Sequence, residues 1–494
     1  MAAMKLVPSV EEMQQLLKYK EYDIIPVKAE IYADNITPIE VMRILKNISK
    51  HCFILESVED QVNWGRYTFI GYDPILEFTV NEHKMRIRSG MTIEKEVEDP
   101  AVEIRNILKD YKSPRMEDFP TFTGGLVGYF SYDYIKYAEP TLKIDAADEE
   151  GFKDVDLMLF DKVIAFDNLK QKIIFIANVR TDNLEVNYKK AANELLNMKN
   201  LIMTGEKAEI QPLRLKEEFK PLFSKDEFCE MVEKAKHYIY EGDIFQVVLS
   251  NRMEAKYEGS MFDAYRVLRT LNPSPYMFYF SSNDIEMAGA SPETLVKLNG
   301  TKLFTYPLAG TRKRGKDDIE DEKIIEGLLA DEKECAEHNM LVDLGRNDMG
   351  RISMIGSVKV EKYMQILKFS HVMHIGSTVT GTIRNGMDAC DAVSSILPAG
   401  TLSGAPKYRA CQIINELENN KRGIYGGAIG YIDFTGNLDT CIAIRIAYAR
   451  NGKVFVRSGA GIVADSVPEN EYQECINKAA AVVTAIHEAE GGLE

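Results

Sequence analysis

The chain has 494 residues, of which 45% are hydrophobic and 28% charged, and a formal net charge of −16. That length exceeds what one hydrophobic core organises, so two domains or one composite domain are expected, and the acidic balance disfavours a nucleic-acid partner, whose phosphates it would repel. No apolar run reaches the roughly 20 residues of a membrane helix, MAAMKLVPSV lacks an export-type start, and the seven cysteines (Cys52, Cys229, Cys335, Cys390, Cys411, Cys441 and Cys475) contain no C-x-x-C pair, so a cytoplasmic protein without a disulfide framework or zinc site is expected.

In chain order, the strand-like stretches CFILES, RYTFIGY, ILEFTV, KVIAFD and KIIFIA alternate with helical ones such as AVEIRNILKDY, which predicts a sheet with helices packed on it. The polar, proline-containing TGEKAEIQPLRLKEEFKPLF reads as a linker between an N-terminal domain, 1–210, and a C-terminal one, 224–490. Ser224 followed by Glu227 is a capping-box pattern opening a helix. A strand FQVVLS, a helix from Phe262 to Leu271, a hairpin turning at Asn299-Gly300, helices from Asp317 to Asp348 and from Ala405 to Glu418, a β-meander and a closing helix follow. The fold class expected is α+β, a large composite of mostly antiparallel sheets packed by helices.

Near the C-terminus, Asn451-Gly452 between β-rich runs predicts a two-residue hairpin turn. Pairing Arg450 with Lys453 and continuing outward places Arg445 opposite Ser458, beside Gly459, Ala460 and Gly461. If the strand alternates without interruption, Arg445 shares a face with the small residues Cys441, Ala443 and Ala447. Such an arrangement suits an organic anion, held by a two-pronged guanidinium and by backbone amides that glycine leaves accessible. A cross-strand salt bridge or a solvated arginine, with the glycines marking a bulge, is the competing reading.

In DEKECAEHNMLVDLGRND, residues Glu334, Glu337, His338 and Leu341 fall on one helical stripe, and in PENEYQECINK so do Glu471, Glu474 and Lys478. Carboxylates from separate helices suit Mg²⁺, which keeps several positions for water or substrate, while Glu474 with Lys478 also fits an ordinary pair on an exposed helix face. In SHVMHIGS, His371 and His374 alternate as on the edge of a strand, and spacing does not choose between a satisfied core histidine and an acid or base catalyst.

These segments, with GDIFQVVLS, NPSPYMFY, GASPE, PLAGTRKRG, LPAGTLSGAPK, RGIYGGAIGYID and SGAGIVADS, lie in the order found in the chorismate-utilising enzymes of the anthranilate synthase component I type, which residues 226 to 480 closely resemble. The resemblance implies conversion of chorismate and ammonia to anthranilate and pyruvate, the committing lyase step of tryptophan biosynthesis. It implies Mg²⁺ as cofactor, held by Glu337 and Glu474, with Glu334 and Glu471 behind them. It implies Glu293 as general acid, His371 as the residue assisting pyruvate loss, and Thr311 and Glu334 completing the catalytic set. Substrate carboxylates would be held by Gly310, Thr311, Tyr425, Arg445, Gly459, Ala460, Gly461 and Lys478. Ala309 stands where aminodeoxychorismate synthases, the alternative reading among enzymes, resemble this block but carry a lysine, and speaks against that enzyme; Gln246 stands where isochorismate and salicylate synthases carry a lysine that activates water, and speaks for ammonia as nucleophile. A non-catalytic sensor of chorismate or tryptophan is the alternative of another class. The resemblance further implies feedback inhibition by tryptophan at Ser57, Pro275, Tyr276 and Met277. It implies a separate glutamine amidotransferase subunit as partner, since no nucleophile-elbow cysteine is found.

Overall fold

The computed structural model describes residues 4–57, 65–368 and 372–493. Two large sheets dominate it, one of 13 strands and one of 12 among the described residues. The first runs in the order 24–32, 172–180, 162–167, 67–72, 52–56, 276–281, 286–291, 446–450, 453–462, 246–258 and 214–215. The second runs 308–313, 372–382, 302–305, 294–299, 438–442, 428–433, 125–130, 155–160, 76–81, 84–89 and 91–96. Each sheet therefore takes one contiguous block of strands from either side of the segment 211–223. The blocks meet at one antiparallel pair per sheet: Cys52–Glu56 with Tyr276–Ser281, and Gly125–Phe130 with Ala428–Asp433. Within the linker-like segment, Arg214–Leu215 and Lys220–Pro221 add short strands to the edge of Gln246–Glu258.

Strand alternation explains the layers. Phe53, Phe278, Phe280 and Phe455 of the first sheet point at Val127, Tyr129 and Phe160 of the second and fill an aromatic core between the sheets. Their neighbours Ile54, Met277, Tyr279 and Val456 point outward under the helices Pro38–Ile48, Leu184–Thr204, Phe262–Leu271 and Pro468–Glu488. The helices Pro100–Leu108, Glu332–Gly350 and Ala389–Ile396 cover the far face of the second sheet. Strands buried on both faces read as continuous apolar runs, as KIIFIA and CFIL do.

Local signals are realised. Ser224 accepts the Glu227 amide at 3.3 Å and the Glu227 carboxylate accepts the Ser224 amide at 2.8 Å, closing the capping box of the helix Lys225–Tyr240. Asn451 and Gly452 turn with φ of +54° and +75°, as the hairpin requires, and Arg450 pairs with Lys453. The uninterrupted alternation expected through Arg445 does not occur. The strand Leu438–Ile442 belongs to the second sheet and Ile446–Arg450 to the first, and the chain crosses between them at Ala443–Arg445, with Arg445 at φ +51°. Pairing with the next strand ends at Ala447 with Val456, so Arg445 is not registered against Ser458.

Candidate active site

Two neighbouring strands change sheets at the same place, and each carries a charged residue at the change. Glu286–Ser291 of the first sheet passes through Pro292 and Glu293 into Thr294–Asn299 of the second, beside the reverse crossing at Ala443–Arg445. The crossings are tied together: the Ile442 amide donates to Glu293 O at 2.9 Å, the Ala290 amide to Arg445 O at 3.1 Å, and Ser291 Oγ to Ile442 O at 2.7 Å. A left-handed conformation at a non-glycine residue costs on the order of 1 kcal/mol or more, which the surrounding hydrogen bonds offset. Once the arginine-bearing strand turns away, Arg457–Ile462 keeps a strand partner on one edge only among the described residues, namely Val247–Arg252.

That released edge carries the small residues. Gly459 is registered with Ser250, Ala460 with Leu249 and Gly461 with Val248. A Cβ on Gly459 would lie 2.9 Å from the Tyr425 hydroxyl and 2.8 Å from Leu249 O, and one on Gly461 would lie 2.5 Å from Gln246 Nε2. Tyr425 and Gln246 thus lie against these glycines, which only glycine permits. Lys478 Nζ donates to Gly459 O at 3.1 Å and pairs with Glu474 at 2.6 Å. Arg445 is half-buried, and no carboxylate of the described residues salt-bridges it, so the competing cross-strand pair is not formed. Burial lowers its pKa, which Glu293 partly restores.

Glu293 is half-buried and accepts Thr401 Oγ1 at 3.3 Å. Burial pushes its carboxyl up to about 7, against the hydrogen bond from Thr401 and the charges of Arg445 and Lys478. Glu293 and Thr401 both line a cavity of about 40 Å³, together with Thr294, Asp348 and Gly400 among others, which is room for a few waters.

Gly310, at φ +63°, occupies a bulge between Ala309 and Thr311, and its missing Cβ would lie 3.3 Å from Glu334 Oε2. Thr311 Oγ1 lies 3.1 Å from His374 Nδ1. His374 is buried, and burial with the nearby Arg445 charge pulls its pKa down to about 4, which leaves the imidazole neutral at pH 7. His371 lies outside the described residues. Among the described residues, the histidine brought to Thr311, Gly310 and Arg445 is His374. It comes there through the pairing of Thr311 with His374 across strands far apart in sequence, which local spacing does not carry. Thr401 likewise has no local signature.

The two acidic stripes meet. Glu334 accepts Arg312 Nη1 at 3.0 Å. Glu337, though solvent-exposed at its surface, has its pKa raised by its surroundings, then by Glu334 and Glu474, against Lys478 and Lys333. Glu471 is raised by burial, with Glu474 adding to it. Among the described residues no cluster of three or more acidic, histidine or cysteine side chains is poised for a metal. The mutual repulsion between carboxylates of two helices fits a hard divalent cation that takes one or two protein carboxylates and completes its shell elsewhere.

Farther along the first sheet, Glu56 is registered with Met277 and accepts the Tyr265 hydroxyl and Arg269 Nη2, the latter at 3.1 Å. Ser57 Oγ and Asn272 Nδ2 are buried without a hydrogen-bond partner among the described residues. The Tyr276 hydroxyl lies 2.9 Å from Thr294 Oγ1 and donates to Asp439 Oδ1 at 2.8 Å. The segment holding Ser57, Pro275, Tyr276 and Met277 is thereby linked to the residue after Glu293.

Residues 50–484 match the chorismate binding enzyme family. Anthranilate synthase component 1 of Acetivibrio thermocellus is 46% identical over 491 residues, spanning 98% of this chain and 99% of that protein. The same component of Aquifex aeolicus (strain VF5) is 44% identical over 503 residues, spanning 99% and 100%. The crystal structure of anthranilate synthase component I from Streptococcus pneumoniae TIGR4 superposes with a TM-score of 0.73 at 37% identity, covering 92% of this chain and 99% of that one. The menaquinone-specific isochorismate synthase of Escherichia coli shares the fold, with a TM-score of 0.69 at 20% identity over 97% of this chain and 98% of that one. Matched along nearly its whole length, the chain belongs to the chorismate-binding enzyme family.

Proposed function

We propose that the chain converts chorismate and ammonia to anthranilate, pyruvate and water, as the chorismate-converting component of an anthranilate synthase. The observation that carries this reading is the pairing, at two sheet crossings stitched together by hydrogen bonds, of the Glu293 carboxyl, which burial pushes up to about 7, with the Arg445 guanidinium whose charge reaches it. Arg445, Lys478, Tyr425 and the Gly459–Gly461 amides bind the substrate carboxylates, together with Gly310 and Thr311. Glu293 gives its proton to the ring hydroxyl as that group leaves, while ammonia adds at the conjugated position. Gln246, uncharged beside Gly461, does not activate water as a lysine would, and Ala309 supplies no nucleophile. The role that the resemblance implied for His371 we assign to His374, whose neutral imidazole can take the ring proton as the enolpyruvyl group departs. Glu337 and Glu474, with Glu334 and Glu471 behind them, would hold Mg²⁺, which when bound supplies charge neutralisation and orientation for a substrate carboxylate.

The same reading makes a separate glutamine amidotransferase subunit the source of ammonia and tryptophan an inhibitor bound near Ser57, Pro275, Tyr276 and Met277, in a cytoplasmic enzyme of two chain-order domains, 1–210 and 224–490. The unpartnered Ser57 Oγ and Asn272 Nδ2 support a ligand there. The test is to mix the purified chain with chorismate, Mg²⁺ and ammonium salt at mildly alkaline pH and follow anthranilate fluorescence. Fluorescence that EDTA abolishes and tryptophan suppresses is expected. Chorismate consumed without anthranilate would replace this reaction by another.

A further inference from the structure

Behind the site lies a buried ionic cluster that none of the roles above uses. Glu418 closes the helix Lys407–Glu418, and its carboxylate accepts Arg422 Nε at 2.9 Å, Arg457 Nη2 at 2.7 Å and the Ser250 amide at 2.8 Å. The three charged residues are no more than 2% exposed. The remaining donors of Arg422 reach beyond the cluster: Nη1 donates to Leu402 O at 2.6 Å, and Nη2, which also donates to Glu418 Oε1, reaches Val248 O at 2.7 Å. Leu402 follows Thr401, whose hydroxyl bonds Glu293, and the same turn is fastened on its other side by the Val248 amide, which donates to Ser403 O at 2.9 Å. Val248 is registered with Gly461. One guanidinium therefore ties the turn bearing the acid's hydrogen-bond partner to the strand backing the anion cradle.

We propose that Arg422 is a positioning residue for the reaction proposed above, holding the Thr401 hydroxyl on Glu293 while fixing Val248 and, across the strand pair, Gly461. Stability alone is a weak reason for such a cluster, because apolar packing of equal volume often stabilises as well as a buried ion pair. Direction is what the guanidinium adds: its planar fork meets Glu418, Leu402 O and Val248 O along fixed lines. A lysine in its place would keep the charge and lose the geometry.

The test reads Glu293 without reference to any product, through the protonated-carboxyl infrared band that Glu293→Gln removes. The charged groups facing Glu293 are Arg445 from the neighbouring crossing and Lys478 from the last helix, with Asp348 across the cavity, where Lys407 holds it at 2.7 Å. Thr401→Val and Arg422→Lys should each raise the titration midpoint by about half to one pH unit, because each removes a hydrogen bond to the ionised form. The double variant should shift no further, since both act through one contact. At fixed free ammonia, Arg422→Lys should lower kcat by roughly 10- to 100-fold and change the KM for chorismate less. An unmoved midpoint in Arg422→Lys, or shifts that add in the double variant, would overturn the inference, and collapse of the Arg422→Lys fold would assign the cluster to stability and overturn it too. Failure of the unsubstituted chain to make anthranilate would overturn the proposed reaction, with the infrared comparison still deciding the role of Arg422.

Discussion

Glu293→Gln should make the protein more stable and nearly inactive, and the size of the first effect should depend on pH. Burial moves the carboxyl from 4.5 to about 7; at roughly 1.4 kcal/mol per pH unit, ionising it inside the fold costs about 3 kcal/mol as a ceiling. The folded pKa is the higher one, so between those values the folded chain binds more protons than the unfolded chain. Stability contributed at low pH is therefore lost as pH rises through that window and stays lost above it. Glutamine keeps the shape and removes the titration. Urea unfolding followed by circular dichroism at about pH 5 and about pH 8 should give a small difference between wild type and variant at the lower pH and up to about 3 kcal/mol in favour of the variant at the higher. Anthranilate formation should fall by roughly 10²- to 10⁴-fold. A stability difference independent of pH would refute the raised pKa, and retained turnover would remove Glu293 from the role of acid.

Arg445→Lys should raise the KM for chorismate by roughly 10- to 100-fold with a smaller effect on kcat, as loss of a two-pronged contact implies; a kcat effect alone would argue against carboxylate binding. Glu337→Gln should weaken Mg²⁺ binding, by calorimetry, and leave activity dependent on higher Mg²⁺; unchanged metal affinity would remove Glu337 from the metal site. Ser57→Phe should raise the half-inhibitory concentration of tryptophan by roughly tenfold or more by replacing a small buried hydroxyl with a bulky ring, and unchanged inhibition would place the inhibitor elsewhere.

What could be read in advance was whatever depends on neighbours in sequence. The capping box at Ser224, the turn at Asn451-Gly452 and the helical stripes through Glu334 and Glu474 are decided within a few residues, and each formed where expected. The extrapolation from Arg450 to Arg445 failed because it assumed one sheet, whereas the strand leaves for another at Ala443–Arg445. No local preference announces that crossing; a non-glycine left-handed residue is stabilised by contacts with strands remote in sequence. The same limit kept the pairing of Thr311 with His374 out of reach, and it hid Thr401, whose partner is 108 positions away in the chain.

The paired crossings at Glu293 and Arg445 also act as a joint. Each side chain hangs from a ribbon anchored in one sheet before it and in the other after it, and the ribbons are stitched together by the bonds of Ile442, Ala290 and Ser291. A change in the angle between the sheets would be shared between these residues and the other crossings, at 73–75 and at Asp161, so the distance from Glu293 to Arg445 follows that angle. Anything that wedges or clamps the aromatic layer between the sheets, however far from chorismate, would be felt there as a change in reach.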